Sequence, residues 1–276
     1  MADYLDLSRI RALANQLDLR PSKGRGQNFL FDANTIRRIV GLSGVRDTDI
    51  VLEIGPGLGS LTVGLLHTGA QVLAVEIEPA LAQLLPITMK DLAPDTVSNL
   101  TVIEQDALWM PVTDPEPTVL VSNLPYSISV PLIMHLFAAF PSITHGLFMV
   151  QLEVANRLVA PPGTKVYGIP SAKLAWYASS LRVGVVPPTV FWPAPKVDSG
   201  LVAFQRRQPP EGVDRVKTFQ LIDRAFSQRR KMLRSVLSGH YGSALHDAFK
   251  QAGVSPEARA ETLSIDDFAR LASYLT

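Results

Sequence analysis

The sequence has no cysteine, only five histidines, and no apolar run near the roughly 20 residues of a membrane-spanning helix. Without cysteine, disulfides, thiolate zinc sites and cysteine nucleophiles are excluded. The histidines show no metal-ligand spacing and predict no metal site: His67, His135, His145, His240 and His246. The first ten residues are acidic where a secretion signal needs basic residues, so we expect a soluble, cytoplasmic protein.

The chain also has little net charge, +1 over 276 residues, but that charge is unevenly distributed. Residues 1–46 carry a net +4, residues 47–204 carry −7 and residues 205–276 carry +4. Basic ends around an acidic middle fit a protein whose middle performs chemistry while its flanks contact a polyanion. A solvated surface would give the same pattern, so charge alone leaves both interpretations open.

From residue 50 onward, short apolar runs alternate with helical stretches, as in a parallel sheet covered by helices. Seven strands are predicted, at 50–54, 71–77, 100–104, 118–123, 146–152, 180–186 and 199–206. Five helices are predicted between them, at 59–68, 79–89, 130–139, 153–160 and 169–178. Only a proline-rich loop separates the last two strands, so the last strand is predicted to pair antiparallel with its neighbour. This α/β pattern resembles the class I, Rossmann-like methyltransferase fold.

Both flanks of the predicted sheet are helical. Ile10, Leu13 and Leu17 fall at helical spacing before Pro21, and a glycine- and arginine-rich loop follows. After residue 208 only helices are predicted, at 214–227, 229–238, 243–252, 256–261 and 265–274. The chain therefore ends in a small all-helical domain.

The first predicted strand ends in VLEIGPGLGSLT, which places Glu53, Gly55, Gly57 and Gly59 on a strand-to-helix turn. Glycines at such a turn let the backbone approach a bound nucleotide at the carboxyl edge of the sheet. A dinucleotide fingerprint is the rival interpretation, but it requires glycine where Ser60 stands. The spacing favours a methyltransferase loop over a nicotinamide site or a plain tight turn.

Two carboxylates follow the next two strands. Glu76 closes the second strand, where a carboxylate can accept hydrogen bonds from both ribose hydroxyls. Asp106 follows the third strand and is placed to accept a hydrogen bond from an adenine amino group. Both residues suit adenosine, and neither decides between a nicotinamide and a methionine tail.

The segment Asn123-Leu124-Pro125-Tyr126, after the fourth strand, indicates the chemistry. An adenine N6 amino nitrogen is a poor nucleophile because its lone pair is delocalised into the ring. The Asn123 side-chain oxygen and the Leu124 carbonyl could each accept one amino proton and aim the lone pair at a methyl group. Proline stiffens the turn, and the tyrosine ring could stack on the base and face a sulfonium cation. An ordinary Asn-x-Pro turn is the alternative for this tetrapeptide alone.

Taken in order, these segments resemble the ribosomal RNA adenine N6-dimethyltransferases. The resemblance covers nearly the whole chain and rests on GQNFL at 26–30, the glycine loop, Glu76, Asp106, NLPY at 123–126 and FWPAPKVDSG at 191–200. NLPY and the FxPxPKVDS segment look like the small-subunit branch, the kasugamycin-sensitivity dimethyltransferase family, rather than the erythromycin-resistance methylases of large-subunit RNA.

The resemblance implies a cofactor, a substrate and site residues. Implied contacts to S-adenosylmethionine are Asn28, Leu30, Gly55, Glu76, Asp106 and Asn123. Asn123 to Tyr126 would grip the target adenine, and Phe191 would stack on its other face unless it is a core aromatic. The implied substrate is a pair of adjacent adenosines in the 3′-terminal hairpin of small-subunit ribosomal RNA, each methylated twice in an assembling subunit. S-adenosylhomocysteine would be the product, with no metal required and a monomer as the expected state.

The basic sequence AFSQRRKMLRSVL in the C-terminal region predicts RNA contact. Arg229, Arg230, Lys231 and Arg234 are expected to cluster on one helix and bind phosphates, with Lys196 extending the surface. A solvated helix face is the alternative. The expected parts are an N-terminal helix and cofactor-lid segment over 1–30, a methyltransferase domain over 31–207 and a helical RNA-binding domain over 208–276.

Two departures from the family pattern and three rival functions remain at this point. Arg25 stands where relatives often carry a bulky apolar residue, and VYGIPS at 166–171 differs from the usual YGxLS. Both bear on RNA contact rather than on catalysis. The rivals are a large-subunit adenine methylase, a non-catalytic nucleic-acid factor and an NAD-dependent dehydrogenase. Ser60 and the NLPY turn count against the last of these.

Overall fold

The protein is described by a computed structural model over residues 4–19 and 28–275. Its helices are α1 Leu7–Gln16, α2 Ala33–Ser43, α3 Ser60–Leu66, α4 Pro79–Leu92, α5 Ser129–Ala139, α6 Leu152–Leu158, α7 Ile169–Tyr177, α8 Arg215–Phe226, α9 Leu233–Tyr241, α10 Ala244–Ala252 and α11 Ile265–Ser273. Its strands are β1 Phe29–Leu30, β2 Ile50–Ile54, β3 Gln71–Glu76, β4 Leu100–Glu104, β5 Val119–Asn123, β6 His145–Gln151, β7 Ala178–Val186, β8 Phe191–Trp192 and β9 Ser199–Arg206. Arg25 and the first two residues of GQNFL lie outside the described residues.

Seven of these strands form one sheet in the order β4-β3-β2-β5-β6-β9-β7. β2 pairs in parallel with β3 and β5, β3 with β4, and β5 with β6. β9 lies between β6 and β7 and runs antiparallel to β6, with Leu201 opposite Met149. The predicted seven-stranded class I methyltransferase arrangement is confirmed. β9 is adjacent to β7, the neighbour expected from the sequence, and its antiparallel register is defined with β6.

The parallel strands bring the predicted strand-end residues to one edge of the sheet. Glu76 is the last residue of β3, Asn123 is the last residue of β5, and Asp106 follows β4 by two residues. In the sheet order, β3 and β4 lie on one side of β2 while β5 and β6 lie on the other. Open α/β sheets bind ligands in the crevice at such a switch point.

The central strands are buried on both faces. Val51 and Leu52 on β2 are 0% exposed, and Leu120 and Val121 on β5 are at most 1% exposed. Their near-continuous apolar runs follow from helices and loops covering both sides of a parallel sheet. Burial on both faces fixes the strand ends, and therefore the residues they carry.

The sequence analysis missed α2 and the small β1–β8 pair. Asp32 caps α2, because its side chain accepts a 2.7 Å hydrogen bond from the Thr35 N–H, and Gly44 ends the helix with a φ of 74°. These are ordinary helix boundary residues, so α2 was predictable. The β1–β8 pair was not, because two-residue strands with partners far apart in the sequence show no periodicity.

The chain divides into two compact units that interleave along the sequence. The first comprises Met1–Ala155 and Leu181–Gln205, and the second comprises Asn156–Ser180 and Arg206–Thr276. The predicted division at 207/208 includes residues 156–180 in the methyltransferase domain, whereas their contacts group them with the C-terminal helices. The second unit has its own core, with these fully buried side chains: Leu221, Ile222, Leu237, Phe268 and Leu271.

Two predicted helices of the second unit differ from the structure. The helix expected over 229–238 begins at Leu233, after turns and a bend that include residues 227–231. The helix expected over 256–261 is a single short 3-10 turn, Ala260–Thr262. Both differences lie where long-range contacts replace local hydrogen bonding, because Leu233 N–H donates to the Ala258 carbonyl at 2.8 Å.

Candidate active site

A cavity of about 470 Å³ opens at the carboxyl edge of β2, β3 and β5, within the first unit. Its size lies in the range of about 300–1,000 Å³ usual for small-molecule sites. The structure brings these sequence-predicted residues to its wall: Asn28, Leu30, Gly55, Glu76, Asp106, Asn123, Leu124, Pro125 and Tyr126.

The glycine loop between β2 and α3 forms the floor of the cavity. Gly55 and Gly57 have φ values of 66° and 58°, a region that side-chain-bearing residues rarely adopt. A Cβ at Gly57 would lie 2.9 Å from Cε1 of Phe29, so the loop also lacks room for a side chain there. The Gly55 N–H donates to the Val75 carbonyl at 2.8 Å, which anchors the loop to β3.

Glu76 is held in place before any ligand binds. Its Oε2 accepts a 3.1 Å hydrogen bond from the Gly57 N–H, and its Oε1 accepts a 3.0 Å bond from the Glu78 N–H. Burial raises the pKa of this carboxyl, and backbone hydrogen bonds from Glu78, Gly57 and Ile77 oppose that shift. A carboxylate offers about four lone-pair sites over its two oxygens, so Glu76 can still accept from a ligand donor.

Glu53 is a cavity residue that the predicted contact set omitted. It is 2% exposed, and its Oε2 accepts a 2.7 Å hydrogen bond from the Thr62 hydroxyl. Burial, with a smaller contribution from the Glu76 charge, raises the pKa of Glu53 to about 8. At neutral pH Glu53 is therefore mostly protonated and does not add a second negative charge beside Glu76. Its position at the head of the ExGxGxG pattern was the available sequence signal.

Asp106 forms the far wall, beyond the end of β4. Its Oδ1 accepts a 2.9 Å hydrogen bond from the Leu108 N–H, which fixes the carboxylate in a local turn. The other oxygen is left to accept from a ligand donor. The exposed side chain of Ile77, at 65%, lines the cavity beside Glu76 and adds an apolar surface there.

The NLPY turn forms the opposite wall. The Leu124 N–H donates to the Met149 carbonyl at 3.0 Å, which orients the peptide groups of the turn against β6. The Asn123 Nδ2 lies 3.5 Å from the Asn28 carbonyl, a long contact that leaves the amide oxygen as an acceptor. Pro125 faces the glycine loop, since a Cβ at Gly55 would lie 3.8 Å from its Cγ.

Tyr126 completes this wall with a half-buried ring. Its hydroxyl lies 2.5 Å from the Oγ of Ser199, the first residue of β9. Burial raises the pKa of the phenol, so the ring stays neutral under physiological conditions. A neutral, anchored ring at a cavity wall is suited to stacking.

The structure corrects the role assigned to Phe191. Its ring is 3% exposed, packs in the hydrophobic core and is absent from the cavity wall. The cause is the β1–β8 pair, in which Phe191 lies opposite Leu30. The more accessible aromatic of β8 is Trp192, which stacks on Phe29 at 6.4 Å between ring centroids. Of the two interpretations of Phe191, the core aromatic fits the structure.

The structure also corrects the predicted basic helix. Arg229, Arg230 and Lys231 precede α9, and of the four basic residues only Arg234 lies on it. Arg229 is bound internally: its Nε donates to Glu261 at 2.7 Å, and an Nη2 hydrogen donates to the Lys165 carbonyl at 2.7 Å. It is therefore a structural residue in this state.

The other predicted RNA contacts are exposed. Arg230 and Lys231 are exposed in the turn, and Arg234 is exposed with a 3.5 Å ion pair to Glu257. Lys196 is also exposed, in the loop between β8 and β9 of the first unit. The Arg234–Glu257 ion pair is exposed and contributes little to stability, so Arg234 can exchange Glu257 for another anion.

Replacing Arg229 by alanine is expected to lower the free energy of unfolding by about 1–2 kcal/mol, since charge-assisted hydrogen bonds to partly exposed groups are lost. Arg230→Ala is the matched control in the same turn, and its cost is expected to stay below about 0.5 kcal/mol. Urea unfolding followed by circular dichroism measures both. An unfolding midpoint for Arg229→Ala equal to that of the wild type would return Arg229 to the candidate RNA contacts.

Two further observations concern metals and membranes. Within residues 4–19 and 28–275, no group of three or more His, Asp or Glu side chains is arranged to hold a metal ion. None of the helices in that part of the chain combines the length and apolar character that crossing a membrane requires.

Comparison with known proteins places this geometry in a family. The family described as "Ribosomal RNA adenine dimethylase" matches residues 20–276. Curated relatives named "Ribosomal RNA small subunit methyltransferase A" include that of Cutibacterium acnes, 52% identical over 98% of this chain and 94% of the relative. That of Thermobifida fusca is 52% identical over 99% of this chain and 96% of the relative.

Solved structures agree with the sequence relatives. A dimethyladenosine transferase from Plasmodium falciparum superposes with a TM-score of 0.74 and 26% identity, over 88% of this chain and 95% of that one. The 23S rRNA methyltransferase ErmE superposes with a TM-score of 0.68 and 28% identity, over 90% of this chain and 99% of that one. From the family match, the identity across nearly the whole length and the shared fold, the chain belongs to the ribosomal RNA adenine dimethylase family.

Proposed function

We propose that this protein transfers methyl groups from S-adenosylmethionine to the N6 amino groups of two adjacent adenosines in the 3′-terminal hairpin of small-subunit ribosomal RNA. Each adenosine is methylated twice, S-adenosylhomocysteine is released, and the protein acts as a cytoplasmic monomer on an assembling small subunit. The observation that carries the proposal is a shared cavity, since the NLPY turn forms one wall while Glu76 and Asp106 form others. The curated relatives, named for the small subunit, support the choice of RNA.

The cavity residues fit S-adenosylmethionine. The Glu76 carboxylate would accept hydrogen bonds from the ribose hydroxyls, and Asp106 offers an oxygen to the adenine amino group. The backbone of Gly55 and Gly57 lines the cavity and would lie beside the methionine part. Bound S-adenosylmethionine supplies an electrophilic methyl group on a sulfonium sulfur.

Asn123 and Leu124 activate the target nitrogen. The amide oxygen of Asn123 and the carbonyl of Leu124 accept the two N6 protons, which draws the nitrogen out of conjugation with the ring. Its lone pair is then aimed into the cavity. The Leu124 N–H donates to the Met149 carbonyl, which anchors the backbone between the two acceptors before RNA binds.

Tyr126 orients the adenine by stacking on it from the wall of the cavity. Its neutral ring also presents an electron-rich face toward the cationic sulfur. The nitrogen becomes acidic as it gains the methyl group and gives a proton to water, so no side chain is needed as a general base. Glu53, mostly protonated at neutral pH, is likewise not required as one.

RNA contact outside the cavity is assigned to exposed cations. Arg230, Lys231 and Arg234 in the second unit and Lys196 in the first bind phosphates. Contacts to phosphates do not distinguish one RNA sequence from another. They contribute binding affinity, which falls as the salt concentration rises. In this proposal the helical unit is the RNA-binding part of the chain.

The proposed function predicts a specific product. Small ribosomal subunits that lack the modification are incubated with the protein and radiolabelled S-adenosylmethionine, with large subunits in parallel. The labelled nucleoside, identified by mass spectrometry, is expected to be N6,N6-dimethyladenosine from the small subunit alone. Asn123→Ala provides the inactive control for label that enters without the site.

Each other outcome of this experiment overturns part of the proposal. Label in the large subunit would assign to the chain the activity of the 23S rRNA methyltransferase ErmE, which superposes on this fold. A monomethylated product would contradict double transfer. No label in either subunit would favour a non-catalytic RNA-binding protein that has kept the fold.

A further inference from the structure

The segment from Val190 to Ser199 connects both walls of the cavity without lining it. At its start, the Val190 carbonyl accepts a 3.0 Å hydrogen bond from the Phe31 N–H, directly after β1. At its end, Ser199 lies 2.5 Å from the Tyr126 hydroxyl. The first contact supports the strand beside Asn28, and the second reaches the NLPY turn.

We propose that Ser199 is a positioning residue for methyl transfer, which holds the Tyr126 ring in the place where it stacks on the target adenine. The inference rests on the proposed function, because it assumes that Tyr126 stacks on the base. It gives the FWPAPKVDSG segment a supporting role in place of the stacking role that its first residue, Phe191, does not fill.

Ser199 is suited to this role because it cannot move easily. It is 0% exposed, and the antiparallel register of β9 with β6 places it opposite Gln151. The next residue, Gly200, is tightly packed, since a Cβ there would lie 2.4 Å from Cβ of Ala155. The hydroxyl therefore sits on a rigid strand, as positioning groups generally must.

Tyr126 needs such an anchor because its own segment is a turn. Beyond Leu124, whose N–H donates to the Met149 carbonyl, the turn that follows β5 has no strand pairing, and α5 begins only at Ser129. A tyrosine ring swings about the Cα–Cβ bond, and a hydrogen bond at the hydroxyl restrains this rotation. The bond therefore fixes where the ring lies on the cavity wall. Stacking tolerates little misalignment when a reacting nitrogen on the same base must be aimed.

The experiment is a double-mutant cycle on turnover with the full-length protein, using Ser199→Ala, Tyr126→Phe and the two together. Either single change removes the same hydrogen bond, so each is expected to lower kcat by about tenfold. The double variant should be no slower than the slower single variant. KM for S-adenosylmethionine should change by less than about threefold, because the lost bond acts on the base and not on the cofactor.

Ser43→Ala is the matched control, since Ser43 is 3% exposed and its hydroxyl bonds the Val40 carbonyl within α2. It loses a buried serine hydroxyl far from Tyr126 and is expected to keep the wild-type kcat. A small-subunit RNA with 2-aminopurine at the target adenosine gives an independent signal, because stacking on Tyr126 quenches its fluorescence. Ser199→Ala should weaken the quenching.

The outcomes separate this inference from the proposed function. A wild-type kcat in Ser199→Ala, or a double variant whose loss is the product of the two single losses, overturns the positioning role while methylation stands. If Ser199→Ala does not fold, Tyr126→Phe decides, because its partly exposed site tolerates the change and a wild-type kcat there overturns the inference. Absence of methylation by the wild-type protein overturns the proposed function and this inference with it.

Discussion

Asn123→Ala is expected to lower the rate of methyl transfer by about 10²–10³-fold, because one of two oriented acceptors for the amino protons is lost. The target nitrogen then keeps its lone pair in the ring for most of the time. The measurement is single-turnover transfer to small-subunit RNA with protein and S-adenosylmethionine in excess. Calorimetric affinity for S-adenosylmethionine is expected to remain measurable, since Glu76 and Asp106 are unchanged.

The matched control for Asn123 is Asn34→Ala. Asn34 is exposed on α2, and its side-chain oxygen accepts a 2.8 Å hydrogen bond from Arg37. The same amide is removed at a site outside the cavity, so the transfer rate should stay at the wild-type value. Near-normal transfer by Asn123→Ala would remove Asn123 from the mechanism. If Asn123→Ala loses both methyl transfer and binding of S-adenosylmethionine, Asn123 acts by binding the cofactor.

The convergence of Glu76, Asp106 and Asn123 followed from the sequence alone. Each residue was predicted at or just beyond the end of a parallel strand, and parallel strands end along a common edge. No contact had to be known for this prediction. It needed only the alternation of apolar runs and helices, which between β2 and β6 is broken only where a loop instead of a helix joins β4 to β5.

Phe191 and Arg229 show where such prediction fails. A motif gives a residue type and an order along the chain, whereas burial depends on what packs against that residue. Phe191 is buried because it lies opposite Leu30, far earlier in the sequence. Arg229 is bound by Glu261, 32 residues later. Neither partner is visible in a local pattern.

Glu53 and Ser199 were missed for a related reason. Both stand inside segments that the sequence analysis used, but their importance depends on partners, namely Thr62 and Glu76 for the first and Tyr126 for the second. The Tyr126–Ser199 contact spans 73 residues. The order of motifs along the sequence therefore indicated which segments form the site. Only the fold showed which side chains within those segments contact one another.

Glu76→Ala is expected to weaken binding of S-adenosylmethionine by about 100-fold or more, since two charge-assisted hydrogen bonds to the ribose are lost. A second effect acts in the same direction. The N–H groups of Gly57 and Glu78 lose their acceptor, so the glycine loop is less firmly held beside the cavity. Titration calorimetry with S-adenosylmethionine and S-adenosylhomocysteine measures the loss, which should be similar for both because they share the ribose.

Glu104→Ala is the control that isolates the position of the carboxylate. Glu104 ends β4 directly opposite Glu76 in the parallel register, but it is exposed and does not line the cavity. Its removal changes the net charge equally and should leave both affinities unchanged. Equal losses in the two variants would mean that general electrostatic attraction holds the cofactor. A loss confined to Glu76→Ala would mean that the carboxylate acts by direct contact, and its oriented lone pairs then account for the affinity.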